Sequence, residues 1–134
     1  MKRFLSFLLI CISFLVMTAQ PKNNSYVEVL YFHGKQRCVT CIAIEKYTKK
    51  VISSDFAKLV KSGKVRYKEV DISTPAGEKL ADKYHVSWSS LYVNGWKNGK
   101  EKRTDLTRYA FENARTNTPA FKQELKKTIN ANLK

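Results

Sequence analysis

The chain has 134 residues, and 25 Lys and Arg against 11 Asp and Glu give it a formal net charge of +14. That length holds one domain of ordinary size, and 43% apolar residues suffice for a core, which excludes a wholly disordered basic tail. Three cysteines are too few for a disulfide-stapled miniprotein or an all-cysteine zinc site.

The basic excess suits phosphate binding, so where the chain is sent decides what the charge means. Lys2 and Arg3 precede a nearly unbroken apolar run from Phe4 to Met17. Those fourteen residues span about 21 Å as a helix, short of the ~30 Å hydrocarbon core of a bilayer. Residues 1–19 therefore read as an export signal with Ala19 before the cut. An uncleaved anchor and a lipidated Cys11 are the alternatives. Export places the mature domain in the periplasm or cell envelope and removes the nucleic-acid reading. It also limits membrane contact to the N-terminal segment, if that is retained.

Residues 20–25 form a polar leader to a domain over 26–134. Tyr26 to His33 (YVEVLYFH) is β-branched and aromatic with apolar residues on both faces, and predicts a central strand. Gly34 to Arg37 breaks it. Cys38 to Ser53 follows a helical period, with Cys41, Ile44, Tyr47 or Thr48, and Val51 on one stripe. Ser54 or Asp55 is placed to cap a further turn carrying Phe56, Leu59 and Val60, ended by Ser62-Gly63. Lys64 to Asp71 alternates Val65, Tyr67 and Glu69 against Arg66, Lys68 and Val70, a strand pattern. Thr74 and Pro75 open a helix to about Tyr84. Ser90 to Asn94 reads as a strand, Gly95, Asn98 and Gly99 as a hairpin turn holding Trp96, and Lys100 to Leu106 as the returning strand. Thr107 to Arg115 predicts a short helix. Thr118 as cap and Pro119 open the last one, with Phe121, Leu125, Ile129 and Leu133 at spacing four. The order β-α-β-α-β-β-α predicts an α/β fold with a mixed four-stranded sheet flanked by helices.

The chemistry lies in Arg37-Cys38-Val39-Thr40-Cys41. Two cysteines three apart at a helix start can close a disulfide across one turn. The unpaired N–H groups and the helix dipole favour a thiolate at the first of them. Lys35, Arg37 and His33 add positive charge, so Cys38 is the candidate nucleophile and Cys41 the resolving thiol. Other readings are a structural disulfide, or a zinc site completed by His33 and His85; neither histidine sits at a recognised ligand spacing. Glu45, four after Cys41, either takes up its proton or pairs with Lys49 at i+4. His33 tunes Cys38 or is a hydrogen-bonded core residue, and His85 reads as a solvent-facing helix end.

With these residues in place, the sequence over 26–133 resembles the thioredoxin-fold superfamily. The order strand VEVLYFH, helix start RCVTC, helix PAGEKLADKYHV, strand and turn SLYVNGWKNGK, and final helix FKQELKKTINANL is the order of that superfamily. More narrowly, Tyr31-Phe32-His33 and Arg37-Cys38-Val39-Thr40-Cys41 with Ile44-Glu45 resemble the small exported thioredoxin-like proteins called nitrophenyl compound nitroreductase subunit, or ArsF family. The resemblance implies a thioredoxin-like fold and a redox-active Cys38–Cys41 disulfide with no other cofactor. It implies partners that are protein thiols, disulfides or a redox protein, and Trp88, Ser89, Ser90 and Arg37 at the substrate groove. No flavin-binding pattern is visible, which argues against nitro reduction by this chain alone.

Two departures stand out. Trp88-Ser89-Ser90 occupies the place where the superfamily carries a cis-proline that shields the sulfurs from metals. A cis bond before Ser89 would cost about 2.5–4 kcal/mol, so a trans bond is expected. The acidic residue that thioredoxins bury under the second cysteine has no counterpart except Glu28, about a turn too early. The expected function is an exported thiol–disulfide oxidoreductase. The alternatives are a binding protein in which Cys38 and Cys41 capture arsenite or another soft metal ion, and a non-catalytic adaptor.

Overall fold

The computed structural model describes residues 24–134. The export signal expected over 1–19, and residues 20–23 of the polar leader, lie outside the described residues. Tyr26–His33 forms β1, buried at every position but Tyr26 and Glu28. α1 (Val39–Asp55), α2 (Ala57–Lys61), β2 (Val65–Asp71), α3 (Pro75–Tyr84), β3 (Ser90–Lys97), β4 (Lys100–Asp105), α4 (Thr107–Asn113) and α5 (Thr118–Leu133) follow.

The sheet order is β2-β1-β3-β4. β1 pairs parallel with β2 and antiparallel with β3, and β3 pairs antiparallel with β4, so β3 alone runs against the other strands. A strand apolar on both faces needs cover on both, and β1 receives it by parity. Val27, Val29 and Tyr31 face Ile44, Val51 and Ile52 of α1 and Phe121, Leu125 and Ile129 of α5. Leu30 and Phe32 face Ala81 and Tyr84 of α3. This is the mixed four-stranded α/β arrangement expected of a thioredoxin-like fold. Each fully buried aliphatic or aromatic side chain is worth roughly 1.5–3 kcal/mol, so the α1–β1–α5 layer fixes where the first turn of α1 sits.

Local signals explain several boundaries. The Thr74 side chain accepts from the Gly77 N–H at 3.1 Å, with Pro75 in the first turn of α3. Asn98 and Gly99 both take positive φ, 51° and 77°, the left-handed pair that a two-residue hairpin requires.

Other boundaries differ from the sequence reading. Gly95 and Trp96 are not turn residues, because β3 continues to Lys97. Gly95 pairs with both Val27 and Lys102, and a Cβ there would lie 2.7 Å from Asn132 Oδ1. The glycine thus serves the close approach of α5 rather than a bend. Trp96 stacks on Tyr26 across the ladder, centroids 5.9 Å apart. The cap of α5 is Asn117, whose side chain accepts from the Ala120 N–H. The Thr118 hydroxyl instead donates back to the Ala114 carbonyl at 2.8 Å. Neither Ser54 nor Asp55 caps α2; Phe56 holds that position with its ring buried in the core.

Candidate active site around Cys38 and Cys41

β1 ends at His33, the chain bends through Gly34 to Arg37, and Cys38 takes the cap position of α1 with extended backbone (φ −70°, ψ 162°). Its Sγ accepts from the Cys41 N–H at 3.0 Å, and its carbonyl accepts the Ile42 N–H at 3.0 Å. The two cysteines form a disulfide across this turn, Cα atoms 5.0 Å apart. Cys38 is exposed while Cys41 is 7% exposed. The sulfur that can meet a partner is therefore the one at the helix terminus. The first turn of α1 carries no acidic residue, so nothing there opposes a thiolate at that cap.

The turn is tied to the sheet. The Tyr31 hydroxyl donates to the Cys41 carbonyl at 2.8 Å. Burial pushes the Tyr31 phenol above its ordinary range, which keeps that proton on the donor.

An open groove of about 440 Å³ runs over both cysteines, lined also by Gln36, Ile72, Ser87, Trp88, Ser89 and Phe111. Trp88 is 69% exposed and stacks on Phe111, centroids 6.2 Å apart and planes 23° apart. Val39 and Ile42 are also exposed, so the rim beside Cys38 is apolar. The described peptide bonds are all trans, including the one before Ser89. Ser89 is buried at the groove wall. Ser90 is turned away: it lines the neighbouring hollow with Tyr92 and Thr107, and its hydroxyl donates to the Trp88 carbonyl at 3.2 Å. Phe111 was not singled out in the sequence. Its signal is positional, an aromatic one residue off the buried Ala110–Ala114 stripe of α4.

The charged residues near the cysteines are mostly engaged with one another. Arg37 does not line the groove. Its guanidinium is ion-paired with Glu45, and its Nη2 lies 3.1 Å from His33 Nε2. Glu45 also accepts from Lys49 at 2.8 Å, Lys49 bridges to Glu69, and Tyr67 donates to Glu69 at 3.2 Å. Neither cysteine hydrogen-bonds to Glu45 among the described residues. His33 is buried, with Nδ1 3.1 Å from the Gly34 carbonyl. A guanidinium only donates and a carbonyl only accepts, so Nδ1 carries the proton and Nε2 accepts. The chain His33–Arg37–Glu45 thus buttresses the loop that carries Cys38, tying the end of β1 to α1. Lys35 is exposed and belongs to no ion pair described here. His85 ends α3 in the left-handed conformation, exposed, and lines the neighbouring hollow with Trp88 rather than the groove over the cysteines. Among the described residues no set of three or more His, Cys, Asp or Glu is grouped to hold a metal ion.

Glu28 lies on the opposite sheet face from α1, on the side of Leu30 and Phe32, across the ladder from Asn94. Burial raises its carboxyl above the usual range; Lys68, Arg66 and Lys83 oppose that shift and Glu101 adds to it. A raised folded-state value means that ionisation costs stability as pH rises through it, and nothing below the unfolded value. Glu28→Gln is therefore expected to raise the urea midpoint near neutral pH, with the gain fading by about pH 4. A gain that persists unchanged in acid would assign the effect to something other than this charge.

No protein-family model and no curated protein matches the sequence. Among solved structures, the chain is similar to a thioredoxin from Thermus thermophilus at 20% identity and TM-score 0.49, over 76% of this chain and 72% of that one. It is also similar to a structure described as that of a malarial protein, at 23% identity and TM-score 0.42, over 65% of this chain and 93% of that one. The α/β assignment stands on the strand order and helix placement themselves.

Proposed function

We propose that the chain is an exported thioredoxin-like thiol–disulfide oxidoreductase that works on protein disulfides or on a redox partner protein. One observation carries this: the two sulfurs of a C-x-x-C pair sit on one helical turn, the first exposed at the cap and the second buried beneath it. In the reducing direction the Cys38 thiolate attacks one sulfur of the substrate disulfide, forms a mixed disulfide and expels the other as thiolate. The Cys41 thiolate then attacks Cys38 Sγ and expels the second substrate thiolate. The substrate gains two electrons, and the protein dithiol becomes the Cys38–Cys41 disulfide. The periplasm or cell envelope fits this chemistry because disulfides persist there. The export signal read at residues 1–19 and the ArsF-like residues Tyr31-Phe32-His33 and Arg37-Cys38 support the same reading.

The reduced protein is expected to reduce insulin. Iodoacetamide should alkylate Cys38 at least about tenfold faster than Cys41, because thiolate character and access both favour it. Equal alkylation rates without insulin reduction would overturn the assignment. A second reading is favoured by Ser89, which leaves the sulfurs without a covering proline ring: the reduced pair captures arsenite or another soft ion. Arsenite protecting both thiols from alkylation, in a protein that leaves insulin intact, would favour this second reading.

A further inference from the structure

The end of the sheet opposite the disulfide is strongly basic. β1 runs eight residues from Tyr26 to His33, about 25 Å, with Cys38 following its far end. The ladder decides what shares the near end. Val27 faces Val65, which puts Lys64 beside Tyr26. Tyr26 faces Trp96, which puts the β3–β4 turn with Lys97 and Lys100 there too. The Lys64 N–H donates to the Leu59 carbonyl at 2.8 Å, drawing in Lys58 and Lys61 of α2. Leu133 lines a small hollow with Tyr26 and Lys64, which brings Lys134 to the same end. These six lysines are exposed, and none belongs to an ion pair among the described residues. Two acidic groups nearby are already engaged, Asp55 with Lys126 and Glu101 with Arg103. Between the hairpin lysines and Asn132 lies a hollow of about 230 Å³, lined by Lys97, Lys100 and Lys102 and also by Glu101, whose carboxylate is paired with Arg103.

We propose that this basic pole docks on anionic lipid headgroups and so turns Cys38 and Cys41 away from the bilayer toward water. Each Lys near an anionic bilayer surface multiplies affinity roughly fivefold. The attraction fades over about 10 Å at moderate salt, so lysines gathered at one end act together, while those around the waist do not. The charge alone carries the proposal for the chain cut after Ala19; where the run Phe4 to Met17 is instead kept as an anchor, Thr18 to Ser25 alone join it to β1, a reach of at most about 29 Å that holds this end at the membrane.

The test compares the full chain on vesicles of phosphatidylcholine alone and of phosphatidylcholine with about one-third phosphatidylglycerol. Taking the ratio of the two partition constants removes whatever the apolar run contributes to both. The wild-type ratio is expected to be about a hundredfold or more, and to collapse at about 0.5 M salt. Lys64→Glu/Lys97→Glu/Lys100→Glu should bring it to within about threefold of unity. Lys46→Glu/Lys79→Glu/Arg115→Glu, an equal change of net charge on other faces, should keep it within about threefold of wild type. Equal losses in the two triple variants would show bulk charge rather than a pole, and would overturn the proposal. So would a wild-type chain indifferent to anionic lipid, as expected if an acidic protein is what this end meets.

Discussion

Cys38→Ser is expected to lower disulfide-exchange turnover by about a thousandfold or more, while Cys41→Ser keeps the first attack and traps the partner. The two outcomes follow from one geometry. A serine hydroxyl at position 38 is neutral and a poor nucleophile, and Cys41, 7% exposed, cannot reach a partner in its place. In Cys41→Ser the backbone N–H that donates to Cys38 Sγ at 3.0 Å is still present, so the attacking thiol keeps its stabilising donor and loses only the thiol that would release the product. Mixed disulfides that normally resolve should then persist for minutes to hours. Non-reducing gels after mixing with insulin, or with envelope extract, would show them as adducts that dithiothreitol dissolves. Full turnover in Cys41→Ser, or adducts formed equally by both variants, would contradict the assigned roles.

The sequence carried β1, the register of α1 and the capped start of α3 because their causes are local: an apolar run, a period of 3.6, and a hydroxyl three residues before the N–H it accepts. The pairing of an exposed with a buried cysteine was legible for the same reason, since three residues of helix carry the second cysteine down toward the core. What was not legible depends on partners far along the chain. Gly95 reads as a turn until α5 comes against it. The resemblance places Trp88 at the groove but not Phe111, which only the fold of α4 brings under its ring. Arg37 is the instructive case. Its place before Cys38 suggests a cation for a thiolate or a substrate, yet Glu45 and His33 claim its guanidinium. The stabilising donor seen at Cys38 is instead the Cys41 backbone N–H, which any residue at that position would supply.

Gly77→Ala tests whether the turn that supports the groove can give way. In most helices the change would gain about 0.5–1 kcal/mol from propensity. Here a Cβ would fall 1.8 Å from the Asp71 carbonyl oxygen and 2.6 Å from its carbon. Backbone rather than a flexible side-chain end is in the way, so α3 or the end of β2 must move. That oxygen also accepts from the Thr74 N–H at 3.2 Å and from its hydroxyl at 2.8 Å, and the hydroxyl oxygen caps Gly77 itself, so the shift breaks a closed set of bonds. A loss of about 3 kcal/mol is expected, lowering the unfolding temperature by roughly 12–20 °C. Gly34→Ala is the counterpart: nothing lies within 4 Å of its Cβ position, and its stability should change by no more than about 1 kcal/mol. The effect of Gly77→Ala should also reach the site. Ile72, one residue past Asp71, donates its N–H to the His33 carbonyl at 2.9 Å, and its side chain walls the groove over the cysteines. Any Gly77→Ala protein that remains folded should therefore show slower attack by Cys38 on insulin along with its lower melting point. A variant that melts low yet attacks at the wild-type rate would mean that the β2–α3 turn supports the fold without shaping the groove.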